Sequence, residues 1–111
     1  MNDELTPGQV IEAMPEYFQP EKAGNTNATI QFDLSGEQAG KWFLKVADGQ
    51  ASANEGQAEN PNVTLLADAR DAVKIFTGKM DPTAAFMGGK LKVKGDIGLA
   101  MRMQSMFRRP S

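Results

Sequence analysis

Side-chain chemistry is narrowly bounded in this chain of 111 residues, which contains no histidine and no cysteine. The commonest general base, the commonest zinc ligands and any thiolate nucleophile are therefore missing. Catalysis would have to rest on carboxylates, lysine, serine, threonine or Tyr17. Asp68, Asp81 and Asp96 each stand just ahead of a helix-like pattern, where accepting backbone N–H groups as an N-cap is their simpler role. Gly88-Gly89-Lys90 has the composition of a phosphate loop, but the GxxxxGK[ST] spacing is absent and a strand-like stretch follows where a helix is required. Lys90, Lys92 and Lys94 form a basic row, yet a pI near 5.1 and the lack of a stacking aromatic pair on that strand argue against nucleic acid as a partner. Neither an enzyme nor a bound metal or cofactor is expected.

The remaining chemistry is apolar. Five of the seven methionines fall between Gly78 and Phe107. Methionine is unbranched and polarizable, so it fills irregular space and re-packs around shapes that are not set in advance. Met80, Met87, Met101, Met103 and Met106, with Phe86 and Phe107, have the character of a soft lining for an elongated apolar ligand, as well as that of an ordinary core.

The elements that must position this lining are legible from punctuation. Asp81 with Pro82 predicts a short helix to Met87, closed by Gly88-Gly89. Lys90 to Lys94 alternates, putting three lysines on one face of a strand and Leu91 and Val93 on the other. Gly95 turns the chain, Asp96 caps, and Ile97, Ala100, Met101, Met103, Met106 and Phe107 recur near helical spacing. Upstream, Thr6-Pro7 starts a helix to about Met14, interrupted by Pro15 and followed by a short turn to Phe18. Pro20 to Asn27 reads as a loop. Ala28 to Leu34 and Lys41 to Ala47 alternate as an antiparallel hairpin, with Trp42, Leu44 and Val46 on one face. Asp48-Gly49 predicts a tight hairpin turn into a third strand at Gln50 to Asn54. Val63 to Ala67 is a fourth strand, and Asp68 caps a helix carrying Ala69, Ala72, Val73 and Phe76 to Gly78. Strands at the front and helices behind predict one α+β domain over 1–111, a five-stranded, mainly antiparallel sheet with helices packed on one face.

The order GK-M-DP-x-x-AFM-x-GKLKVKGD-x-x-x-A from Gly78 to Ala100, followed by a helix ending in Phe, resembles the C-terminal signature of the type-2 sterol carrier protein family. The resemblance extends upstream through MPEYFQPEKA at Met14 to Ala23 and NPNVTLLAD at Asn60 to Asp68, and so covers nearly the whole chain. It implies an apolar tunnel between sheet and helices, and non-enzymatic binding and transfer of a lipid: a fatty acid, fatty acyl-CoA, phospholipid or sterol-like molecule. The motif stretch nominates Phe86, Met87, Leu91, Val93, Leu99, Met103, Met106 and Phe107 for the tunnel wall. Met80, in the same stretch, and Trp42, Leu44, Ile75 and Phe76, which face it by periodicity, join them. Lys79, Lys90 and Arg102 are the candidates for head-group contact.

Charge is unevenly spread. Met1 to Gly78 holds five basic and twelve acidic residues, a balance of −7, and Lys79 onward holds seven and two, a balance of +5. The methionine-rich part is thus the basic part, which favours transient contact with an anionic membrane surface. Acidic residues at Asp3, Glu4 and Glu12 do not suit a secretory signal, and Arg109-Pro110-Ser111 is not the peroxisomal tripeptide frequent among eukaryotic relatives, so a cytoplasmic monomer or weak dimer is expected. Two other readings stay open: an interaction or dimerisation module whose groove is filled by protein, and an accessory domain of a lipid-metabolising enzyme.

Overall fold

Residues 6–108 are described by a computed structural model of the chain. At its N-terminal end Thr6 forms a reciprocal cap: its hydroxyl accepts from the Gln9 N–H at 3.1 Å while its own N–H donates to Gln9 Oε1 at 2.9 Å. Helix α1 (Pro7–Ala13) then buries Val10 and Ile11. Pro15 cannot supply the next helical hydrogen bond, and the chain tightens into a 3₁₀ turn over Met14–Tyr17. The expected loop at Pro20 to Asn27 instead begins with a single helical turn, α2 (Pro20–Ala23). Proline at the first helical position is pre-set for that geometry, and Ala23 gains burial from it.

Five strands follow the alternation: β1 (Ala28–Ser35), β2 (Gly40–Ala47), β3 (Gln50–Glu55), β4 (Val63–Asp68) and β5 (Leu91–Gly95). Asp48 and Gly49, both at positive φ (54° and 73°), make the turn between β2 and β3. The strand order is β3-β2-β1-β4-β5, antiparallel throughout except that β4 lies parallel to β1. The β3–β4 connection must therefore cross the sheet. It does so over the face opposite the helices, held by Gln31, which is 0% exposed. The Gln31 Oε1 accepts from the Ala58 N–H at 2.8 Å, and its Nε2 donates to the Gly56 carbonyl at 3.1 Å. A buried amide is tolerable only when so satisfied.

On the other face the register lines up apolar rows: Leu44, Ile30 and Val63; then Trp42, Phe32, Leu65 and Val93; then Leu34, Ala67 and Leu91. Helices α1, α3 (Ala69–Phe76), α4 (Pro82–Met87) and α5 (Ile97–Met106) cover this face. Each aspartate predicted to cap does so. Asp68 accepts from the Arg70 N–H at 2.8 Å, Asp81 from Ala84 at 2.9 Å and Asp96 from Leu99 at 3.0 Å.

Candidate functional site

Between the helices and one end of the sheet the chain leaves a cavity of about 610 Å³. Phe32, Leu34, Leu65, Ala67, Leu91 and Val93 make its floor, all from the second and third of the apolar rows. The first row is different: Ile30, Leu44 and Val63 are completely or almost completely buried, and Leu99 and Met106 share their core. The same inner face is thus solid at one end and hollow at the other.

The walls follow from local sequence. Because Asp68 caps α3 straight out of β4, Ala72, Ile75 and Phe76 are carried over the floor, with the Phe76 ring edge-on to Phe32 at 5.3 Å. Asp81 and Pro82 start α4, which delivers Phe86 and Met87. Gly95 fixes where α5 begins. Its φ is 96°, and a Cβ there would lie 2.6 Å from the Asn62 carbonyl oxygen, so only glycine fits. Helix α5 then lays Ala100, Met103 and Phe107 along the cavity. Its far end is stitched to the 3₁₀ turn: the Arg108 N–H donates to the Tyr17 carbonyl at 2.8 Å, the Gln19 N–H donates to Met106 at 2.7 Å, and the Phe18 and Phe107 rings lie 5.3 Å apart.

The cavity is open. Its rim holds the large apolar side chains that the fold leaves exposed, Phe86 at 46%, Met87 at 80%, Ile97 at 50% and Met101 at 65%. No carboxylate borders it among the described residues, and no three acidic side chains gather to hold a metal. Its chemistry is the exclusion of water from hydrocarbon.

A model of the SCP-2 sterol transfer family matches residues 9–108. The chain belongs to that family. It is 39% identical over 100 residues to hydroxysteroid dehydrogenase-like protein 2 of Xenopus tropicalis, covering 89% of this chain but 24% of the relative. It thus spans about a quarter of the length of the curated relatives it matches first. Among solved structures, the sterol carrier protein domain 2 of Helicoverpa armigera superposes with a TM-score of 0.71 at 25% identity, over 95% of this chain and 88% of that one. The palmitated SCP2L2 of Aedes aegypti superposes at 0.78, with 17% identity, over 96% and 99% of the two chains.

Within this SCP-2 domain the residues nominated from sequence divide in two. Ile75, Phe76, Phe86, Met87, Leu91, Val93, Met103 and Phe107 border the cavity. Trp42, Leu44, Leu99 and Met106 do not; they are buried in the solid part of the core. Trp42 lies against Gly40 and Gly8, where a Cβ would come within 2.6 and 3.2 Å of its ring, so small residues make room for the indole. Met80 lies outside the wall. Lys79 and Lys90 are exposed away from it, and Arg102 borders a separate polar hollow beside Asn62 and Asp96. Sequence reasoning missed the floor residues Leu34, Leu65 and Ala67 and the rim residues Tyr17, Gln104 and Arg108. Alternation had put Phe32 and Leu34 on the inner face, but no local signal tells a covered row from an open one.

Proposed function

We propose that this chain is a lipid-binding domain that holds a hydrocarbon chain in the cavity over β1, β4 and β5, performs no chemistry on it, and passes it between membranes or proteins. The observation that carries this is an open, apolar-walled cavity of about 610 Å³ in a member of a sterol transfer family. Each methylene moved from water onto that wall contributes about 0.8 kcal/mol before ordering costs, so a long chain binds without many polar contacts. Phe86, Met87, Ile97 and Met101 at the rim are suited to touch an anionic membrane surface, where their apolar area would be covered as the lipid crosses.

A second reading has its own support. The match to a quarter of a dehydrogenase-like protein favours a role as the lipid-holding part of a larger lipid-metabolising assembly. Native mass spectrometry of the freshly purified protein, followed by organic extraction, tests the shared core of both. A stoichiometric lipid is the expected result. A clean apo mass that does not shift after incubation with fatty acids, acyl-CoA or sterols would overturn it, in favour of a groove filled by another protein chain.

A further inference from the structure

Helix α5 meets the cavity along a line that changes character. Ile97, Met101 and Gln104 are spaced four and three residues apart on one side of α5, and Arg108 follows just past the helix's end; all four are exposed while bordering the cavity. They are its rim. The first two are apolar, like Phe86 and Met87 elsewhere on the rim; the last two are polar, and Arg108 stands over the Tyr17 ring. The helix spans ten residues, so these two ends of the mouth are separated by about 15 Å along its axis.

Arg108 is the only charged side chain among the described residues that border the cavity. It has no carboxylate partner among them, where the one ion pair joins Arg70 to Glu37. Its position is held from both sides. Its N–H donates to the Tyr17 carbonyl, and its guanidinium carbon lies 5.6 Å from the centre of the Tyr17 ring. Among the described residues that contact leaves the planar fork of N–H donors without an acidic partner beside an apolar wall, a setting that suits an incoming anion.

Resting on the lipid-binding reading above, we infer that Arg108 is the head-group anchor of the cavity, holding the anionic end of a single-chain lipid. That anionic end sits at Arg108 beside Tyr17, and the tail runs beneath α5 toward Phe86 and Ile97. A guanidinium with no carboxylate partner among the described residues favours an anionic end over a neutral one, and its fork suits a phosphate as well as a carboxylate, so hexadecyl phosphate should share the preference of palmitate. Lys79, Lys90 and Arg102 take no part, because none of them borders this cavity.

The test compares palmitate, hexadecanol and hexadecyl phosphate by displacement of a fluorescent acyl probe, in the wild-type protein and in Arg108→Gln, Arg108→Lys and Arg102→Gln. Palmitate is expected to bind the wild type roughly tenfold more tightly than hexadecanol, the scale of one exposed charge-assisted contact. Arg108→Gln should bring that ratio to about one while leaving hexadecanol unchanged, Arg108→Lys should restore part of it, and Arg102→Gln should keep all of it. Arg108 is exposed and its backbone bond survives substitution, so the variants keep the fold, which circular dichroism checks. A ratio near one in the wild type, a ratio that survives Arg108→Gln, or phosphate binding that Arg108→Gln leaves unchanged would overturn the anchor and leave the lipid-binding reading standing. Failure of the wild type to bind any of the three would remove both.

Discussion

Compare the two ends of the sheet's inner face. Around Ile30, Leu44 and Val63 the rows are sealed by branched, well-fitted side chains, with Leu99 and Met106 in the same core. One row further on, Phe32 and Leu65, and in the row after that Ala67, are just as apolar, yet they face the cavity. Hydrophobicity is the same at both ends; what differs is what the helices bring. Helix α5 supplies the solid end from one side of its cylinder and the hollow end from another, through Ala100, Met103 and Phe107. An apolar void forfeits the dispersion contacts that a packed core has, and a ligand that restores them stabilises the fold. The solid end carries the stability that lets the hollow end stay hollow.

The largest effect should come from the solid end. Leu44→Ala is expected to lower unfolding free energy by about 2–5 kcal/mol, read as a drop in urea midpoint at unchanged slope. Lipid affinity of the folded fraction should hold; a matching loss of affinity would mean that the two ends are one unit. Gly40→Ala comes next. Its Cβ would lie 2.6 Å from the Trp42 ring, and forcing the indole aside should destabilise the protein by roughly 1–3 kcal/mol, visible as a shift in Trp42 fluorescence as well as in the midpoint. An unshifted spectrum would show that the ring has room to spare.

At the hollow end the signs change. Ala67→Phe fills floor space, so bound lipid should fall at least about tenfold while stability changes by less than about 1 kcal/mol, measured by probe displacement and chemical unfolding side by side. Undiminished binding would take the ligand off this floor. The smallest change in stability belongs to the rim. Met87→Ser, at a position 80% exposed, should move the midpoint by no more than about 0.5 kcal/mol yet slow delivery of lipid to anionic vesicles. An unaltered transfer rate would separate the rim from membrane contact.

The five strands, the three aspartate caps, the Asp48-Gly49 turn and the division of Leu91 and Val93 from the lysines of β5 were all legible, because each depends on residues within a few positions of one another. The parallel pairing of β4 with β1 was not, since it joins strands separated by a crossing loop whose tie, Gln31, looks like any outward polar residue of an alternating strand. The site was half legible for a related reason. The motif stretch places Phe86, Met87, Leu91, Val93, Met103 and Phe107 on the cavity, but it also holds Leu99 and Met106, which share α5 and differ only in the side of the helix they occupy. Lys79 and Lys90 drew attention by lying in the motif. Arg108 lies beyond it, and its relation to Tyr17 spans most of the chain.

By itself the sequence determined which face of every strand is apolar, where every helix but α2 begins, and that catalysis by histidine or thiolate is not available to this chain; period and capping are local properties of the backbone. Only the tertiary structure decided which of those apolar faces is left uncovered, because that depends on how far helices distant in sequence stand from the sheet. It also decided which cation among the described residues, Arg108, falls at the mouth.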